Sequence, residues 1–177
     1  MAGLLESVTD LSEGAAVLKR RAYGVIEVVD ERFRRVVLRP WPKIVSAPEI
    51  LLLGGWLHRR RPGDRLRLYY NQPRRFPNFL VLKYCLSARN TRYGTLSRAL
   101  AVLDEIARLK GSDALLCDVS NWRISTKVMA RWGWQPHCSS RWHRHYIKRF
   151  YGTYPPPADW MGASAEPAEE REVSHCS

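Results

Sequence analysis

The chain has 177 residues, 45% of them hydrophobic, which predicts one domain with enough apolar content to bury a core. Its longest apolar run, residues 50–57, is too short to span a membrane and contains two glycines. The first residues lack the basic-then-apolar pattern of a secretory signal, and the four cysteines have no Cys-x-x-Cys spacing. The sequence therefore predicts a reducing, cytoplasmic setting and no association with a membrane.

The net charge of +12 comes from 29 lysines and arginines against 17 acidic residues, with arginine dense in residues 59–75 and 141–149. Three interpretations of this charge stay open. Arginines interleaved with Trp and Tyr suit nucleic acid, because they supply phosphate contacts and stacking faces. They equally suit a small polyanionic ligand, or they form a solvated face without a specific partner. Charge bears on partners and not on the fold.

The N-terminal third contains a predicted hairpin. Residues 1–18 have weak patterning and are expected to form a loosely held arm or a short helix. Residues 22–29 and 32–39 are rich in β-branched side chains and are separated by an Asp-Glu pair, which predicts two antiparallel strands. Three prolines then break the chain, and the Ser-Ala-Pro-Glu segment at residues 46–49 has the form of a capping box, so a helix is expected to begin there.

The middle of the chain predicts two strands and a helix. Residues 65–70 (RLRLYY) alternate in polarity, which indicates a strand with one solvated face. Residues 79–86 (FLVLKYCL) are apolar on both faces apart from Lys83, as expected for a central strand. Residues 95–110 have an apolar stripe at helical spacing, and Gly111 directly after them is a suitable helix stop.

The remaining elements continue this alternation. Residues 114–119 (ALLCDV) predict a buried strand, and a helix from about residue 124 is expected to end at Gly133. A basic closing strand is expected at residues 145–151. Strands that alternate with helices over short links predict an α/β fold, with a mixed, partly parallel central sheet and helices on both faces.

The domain limits follow from composition. A single domain is expected over residues 19–154. A run of three prolines marks its end, and the small, acidic residues that follow predict a disordered tail over residues 155–177.

The turn between the residue 79–86 strand and the next helix reads Arg-Asn-Thr-Arg-Tyr-Gly. A turn that leads into a helix N-terminus gathers free N–H groups and the positive end of the helix dipole, so it can hold a phosphate. The order of elements over residues 79–151 resembles the second half of the GCN5-related N-acetyltransferase (GNAT) family. Arg89 and Gly94 match the ends of that family's Gln/Arg-x-x-Gly-x-Gly/Ala pyrophosphate motif, and Arg92 stands at its middle glycine. Gly133-Trp134 is similar to the Gly-Phe that ends the family's second helix.

The resemblance implies that acetyl-CoA, or another acyl-CoA, binds at this turn as a co-substrate. In the family, the strand before the turn separates from its neighbour and the pantetheine arm lies in the gap, which by position falls near residues 84–86. Arg92 would either crowd the phosphate, grip it with its guanidinium or face solvent. Asn121 would reach the acyl or pantetheine region, or would cap the following helix. The implied cofactor-binding residues are Leu86, Arg89, Asn90, Thr91, Arg92, Tyr93, Gly94, Thr95 and Asn121.

Acyl transfer to an amine needs a base that removes the ammonium proton and an acid that protonates the departing thiolate. The family often uses a tyrosine of the second helix as the acid, and that position is Met129 here, which cannot donate a proton. Tyr84 becomes the candidate catalytic residue, because it lies where the strands are expected to part. Tyr146, His145 or a chain of waters are the alternatives.

The sequence thus predicts an acyl-CoA-dependent N-acyltransferase that acetylates an amine of unknown identity. Two alternatives stay open: a CoA-binding protein with little activity, and a basic nucleic-acid-binding module. The histidines and the cysteine in residues 137–145 match no common zinc spacing, so no metal site is expected.

Overall fold

The computed structural model describes residues 6–41, 63–119, 124–139 and 144–156. The helix expected after residues 46–49, the candidate Asn121 and nearly all of the expected tail lie outside these ranges. The described strands and helices are, in chain order, β1 (Glu6–Val8), α1 (Ala15–Arg20), β2 (Tyr23–Val29), β3 (Arg32–Arg39), β4 (Arg65–Asn71), β5 (Phe79–Ser87), α2 (Tyr93–Lys110), β6 (Ala114–Val119), α3 (Thr126–Arg131), β7 (Gln135–Ser139) and β8 (Arg144–Arg149).

The strands form one eight-stranded sheet in the order β1-β3-β2-β4-β5-β6-β8-β7. Neighbouring strands are antiparallel except for β5 and β6, which are parallel. Parallel neighbours need a crossover connection, and α2 supplies it. The predicted mixed, partly parallel sheet is therefore confirmed.

The predicted hairpin is confirmed in β2 and β3. Asp30 and Glu31 connect the strands and have φ angles of 50° and 60°. Two successive residues with positive φ are typical of the type I′ turn, whose twist matches that of the flanking strands.

Residues 1–18 were expected to form a loosely held arm or a short helix, and from Glu6 onward they contain β1 and the start of the short helix α1. β1 pairs with β3 at one edge of the sheet, and Val8, Leu11 and Leu18 lie in the hydrophobic core. The amino group of Lys110, at the end of α2, donates hydrogen bonds to backbone carbonyls on either side of the last residue of α1. These partners are distant in sequence, so the local pattern could not indicate them.

The core lies between the sheet and α2. Leu66, Leu68 and Tyr70 of β4 are at most 1% exposed, as their alternation predicts, and α2 packs across β2, β3 and β4 on that side. We call this side the helix face of the sheet. The opposite side, to which Glu27 and Tyr69 point, is called the second face. α2 ends at Gly111, whose φ of 63° is the left-handed conformation expected of a helix stop.

The C-terminal elements are attached to α2 by specific contacts. Tyr93 of α2 stacks on Trp132, which directly follows α3, with ring centroids 5.5 Å apart. Lys148 of β8 donates a hydrogen bond of 2.7 Å to Asp104 of α2. α3 is shorter than predicted because its N-cap is Ser125, whose hydroxyl accepts a hydrogen bond from the Val128 N–H. None of the described helices is both long and apolar enough to cross a membrane.

Candidate functional site

The two parallel strands separate at their carboxyl ends. β5 pairs with β6 only from Phe79↔Ala114 to Leu82↔Cys117. Beyond these residues β5 continues to Ser87 while pairing with β4, and β6 continues to Val119 while pairing with β8. A gap therefore opens between β5 and β6, at the end of the sheet where β5 leads into the turn before α2.

A β-bulge lies where the strands begin to separate. Tyr70 pairs with Leu82 and Tyr69 pairs with Tyr84, so Lys83 is an extra residue in β5. An extra residue bends its strand and increases the local twist, which turns β5 away from β6. The bulge thus provides a physical cause for the gap.

Tyr84 lies on the second face beside this gap. Its ring stacks on that of Tyr69, with centroids 4.2 Å apart and an interplanar angle of 17°. Both rings line a cavity of about 10 Å³ together with Tyr23 and Lys83. That volume is enough for about one water molecule. Tyr84 therefore has a fixed ring orientation and a water-sized space next to it.

Asp118 and His145 are cross-strand partners at the far side of the gap. Their neighbours Cys117 and Tyr146 are buried on the helix face, so alternation turns Asp118 and His145 to the second face, the face of Tyr84. A carboxylate beside an imidazole can orient the ring by accepting a hydrogen bond from it. From the sequence, His145 was an alternative proton-transfer residue without Asp118 as its partner. The two residues become neighbours only through the register of β6 against β8.

The turn before α2 is fixed by hydrogen bonds to Arg65, the first residue of β4, and to Asp64, which precedes β4. The Ala88 N–H and the Thr91 hydroxyl both approach the Arg65 carbonyl at 2.9 Å. The Asp64 carboxylate accepts hydrogen bonds from the Arg92 N–H at 3.0 Å and from the Thr95 hydroxyl at 2.6 Å. Asp64 thus caps the helix, although it lies 28 residues before Arg92 in the sequence.

Three backbone donors remain at the start of α2. Within the described ranges, the N–H groups of Tyr93, Gly94 and Thr95 have no acceptor, as expected for the first turn of a helix. Thr95 is fully buried as a whole residue, and its hydroxyl also accepts a hydrogen bond from the Glu31 N–H. Thr95 therefore joins the start of α2 to the β2–β3 turn and to Asp64.

Glu31 approaches the same helix end from the β2–β3 turn. A Cβ atom at Gly94 would lie 2.7 Å from the Glu31 carboxyl carbon, so glycine leaves room for that side chain. The Arg92 guanidinium lies 4.0 Å from the Glu31 carboxylate and is largely exposed. Arg92 therefore faces solvent beside an acidic residue.

The other implied cofactor-binding residues lie around this turn. Arg89 and Asn90 are exposed, and Thr91 is partly buried. Tyr93 is 59% exposed although its ring stacks on Trp132. Leu86 is partly buried in β5 opposite Arg67, beyond the point where β5 leaves β6.

The remaining proton-donor candidates are enclosed by the protein. Met129 is 4% exposed and belongs to the hydrophobic core. Tyr146 is 2% exposed, and its hydroxyl lies 3.0 Å from the Thr126 hydroxyl. In the part of the chain that the structure covers, no three His, Cys, Asp or Glu side chains are grouped as a metal site would require. Tyr84 lies on β5 beside the gap with its hydroxyl buried, and His145 lies on β8 beyond β6.

Comparisons with known proteins find similarity in structure only. No protein-family model matches the sequence, and no curated protein matches it. The chain is similar to the crystal structure of nourseothricin acetyltransferase over 83% of its own length and 99% of that chain, with 12% identity and a TM-score of 0.40. It is also similar to a protein from Desulfovibrio desulfuricans, assigned as an acetyltransferase of the GNAT family, over 82% of its own length and 97% of that chain, with 13% identity and a TM-score of 0.45.

Proposed function

We propose that this protein is an acyl-CoA-dependent N-acyltransferase that transfers an acetyl group to an amine. The observation that carries the proposal is the gap between β5 and β6, which begins at the Lys83 bulge and ends beside the free N–H groups of α2. Parallel strands that part next to a helix N-terminus provide backbone groups for an amide-containing arm and donors for a phosphate.

The residues around the gap fit coenzyme A. Beyond Leu82 the side of β5 that faced β6 no longer pairs with that strand, so its peptide groups suit the amides of the pantetheine arm. The N–H groups of Tyr93 and Gly94 suit the pyrophosphate, with Arg89 and Arg92 supplying positive charge nearby. Bound acyl-CoA supplies the thioester that an amine attacks.

Two proton-transfer roles are assigned to side chains of the second face. His145, the cross-strand partner of Asp118, acts as the base that removes a proton from the ammonium group of the acceptor. Tyr84, whose hydroxyl is buried, donates the proton needed by the departing thiolate through one water in the adjacent cavity. The two residues come from opposite sides of the gap, which keeps the base and the acid apart.

A CoA-binding protein without turnover is the second candidate, and Met129 favours it. The residue at the position of the family's usual acid is an apolar side chain buried in the core. Turnover with amine substrates separates the two candidates, since both predict binding of acetyl-CoA.

The experiment that tests the binding site compares two substitutions of Gly94. Gly94 is the second residue of α2, where proline is tolerated because the N–H has no acceptor within the helix. Gly94→Pro deletes that N–H, whereas Gly94→Ala retains it and places a similar Cβ against Glu31. Gly94→Ala is thus the matched control for steric effects.

We expect acetyl-CoA at a hundredfold excess over its Kd to stabilise the wild type by about 2.7 kcal/mol, measured as a rise in melting temperature. The rise should be retained in Gly94→Ala and strongly reduced in Gly94→Pro. Equal rises in the two variants would place the phosphates elsewhere. No rise in the wild type would remove the acyl-CoA proposal.

A further inference from the structure

The second face contains a groove of about 380 Å³ at the end of the sheet near the turn before α2. Its lining residues are Glu27, Val29, Arg34, Arg35, Arg65 and Arg67. Four arginines against one glutamate give this lining a net charge of +3, so the groove attracts anions.

The register of three strands builds the groove. Glu27 in β2 pairs with Arg35 in β3 and with Arg67 in β4, and Val29 pairs with Arg65. Glu27 pairs with Arg35 while the next residue of β2 pairs with Phe33, so Arg34 is an extra residue in β3. This bulge allows two consecutive arginines to line the same groove, although successive residues of a regular strand point to opposite faces.

Glu27 holds two of the arginines in place. Its Oε2 accepts a hydrogen bond of 2.8 Å from the Arg35 Nε, whereas its Oε1 forms an ion pair with the Arg67 Nε, at 2.8 Å, that is not a hydrogen bond. The Glu27 side chain is only 14% exposed, whereas those of Arg35 and Arg67 are 49% and 36% exposed. Because each contact is made at Nε, the two terminal nitrogens of each guanidinium stay available for a ligand.

We propose that this groove binds the phosphate group of a small molecule and that, on the basis of the proposed function, this molecule is the amine acceptor. Guanidinium groups bind phosphate in a bidentate manner, and the positions of Arg35 and Arg67 are set before a ligand arrives. The volume lies at the small end of the range for ligand sites.

The position of the groove fits an acceptor. Arg67 is the cross-strand partner of Leu86, which lies in the part of β5 that borders the gap. Neighbouring strands are about 4.8 Å apart, so a ligand held by Arg67 is one strand away from the gap. It is also on the face to which Tyr84 and His145 point, whereas α2 packs on the other face.

Calorimetric titration with inorganic pyrophosphate tests the groove. The test variant is Arg35→Gln with Arg65→Gln, and the control is Arg74→Gln with Arg75→Gln, two exposed arginines beyond the opposite end of β4. Both variants remove two charges. We expect a loss of affinity of at least about tenfold in the test variant and less than about twofold in the control. Equal losses would show only a general effect of charge and would overturn the proposal.

A second variant keeps the test valid if the first does not fold. Arg34→Lys with Arg65→Lys retains both charges and the contacts of Glu27 but removes the two planar guanidinium groups, which can bind phosphate through two parallel hydrogen bonds. We expect pyrophosphate to bind this variant about three- to fivefold more weakly than the wild type. Unchanged affinity would overturn the assignment of phosphate recognition to these arginines.

The remaining measurements separate the groove from the acyl-CoA site. Saturating acetyl-CoA should leave pyrophosphate binding at the groove unchanged, and the double glutamine variant should keep its stabilisation by acetyl-CoA. Pyrophosphate binding that is lost in Gly94→Pro and kept in the glutamine variant would overturn the proposal.

A wild type that binds pyrophosphate at the groove but is not stabilised by acetyl-CoA would refute the transferase function and leave the groove standing. A short labelled oligonucleotide that binds through these arginines and is not displaced by pyrophosphate would assign the groove to nucleic acid instead.

Discussion

Asp64 and Thr95 form a buried hydrogen bond of 2.6 Å across 31 residues of sequence. Asp64 is 8% exposed and Thr95 is fully buried. The second oxygen of the same carboxylate accepts from the Arg92 N–H, so one side chain joins the start of β4 to the start of α2. The helix end at the candidate site is therefore positioned by a carboxylate supplied from elsewhere in the chain.

Asp64→Ala is expected to lower the free energy of unfolding by about 1 to 2 kcal/mol, because it removes an N-cap and leaves the Thr95 hydroxyl without its acceptor. Urea denaturation followed by circular dichroism measures the change. Glu13→Ala is the control, since it removes one negative charge from an exposed position. A loss in Asp64→Ala no larger than that in the control would contradict the capping role.

Tyr84→Phe is expected to lower turnover of an amine substrate by about a hundredfold, because it deletes the proposed proton donor and keeps the stacked ring. Binding of acetyl-CoA should not change. Tyr69→Phe is the matched control, since it removes the hydroxyl of the other ring in the same stack. If both variants, or neither, lose activity, Tyr84 is not the acid.

Met129→Tyr is expected to lower the free energy of unfolding by about 1 to 3 kcal/mol without increasing turnover. Met129 is buried in the core, so the larger ring would overpack its site and would place a hydroxyl among apolar groups. Thermal denaturation and turnover are measured on the same preparation. A stable variant with raised activity would show that this side chain reaches the substrate.

The amino group of Lys110 is expected to make the free energy of unfolding depend on pH above neutrality. Burial lowers the pKa of its amino group from 10.5 to about 8, and the group donates hydrogen bonds to two backbone carbonyls and to Gln72. Above about pH 8 the folded protein loses this proton while the unfolded chain keeps it until about pH 10.5. The unfolded state then binds more protons, so this contribution to stability rises with pH.

The measurement is the difference in unfolding free energy between the wild type and Lys110→Met. The difference should grow in favour of the wild type by about 1 to 2 kcal/mol between about pH 7.5 and about pH 9.5. The difference between the two proteins is used because the Cys117 thiol affects both of them. Burial raises the pKa of this thiol to about 12, which lowers the free energy of unfolding above about pH 9. A difference that is constant over this range would contradict the lowered pKa of Lys110.

Periodicity and turn chemistry predicted the elements that depend on local sequence. The alternation in residues 65–70 gave the buried side of β4 correctly, and Gly111 ends α2 as expected. The Asp30-Glu31 turn joins two strands that pair directly, so their hairpin could be predicted as well.

Features that depend on register could not be predicted in this way. β1 has three residues, and its partner strand follows about thirty residues later, so its side chains gave no local signal. The pairing of Asp118 with His145 and the bulge at Lys83 exist only once strands are aligned. The resemblance to the GNAT family predicted the gap near residues 84–86. No motif in the sequence indicated that Glu27 pairs with two arginines.

The order of the strands also determines what the edges of the sheet present to other chains. One edge is β1, with only three residues, and the other is β7, in which Pro136 lacks an N–H and Cys138 has a φ of 51°. Short, interrupted edges offer few consecutive backbone donors and acceptors to a strand from another molecule. In the described part of the chain, these two edge strands thus offer few backbone groups for strand addition.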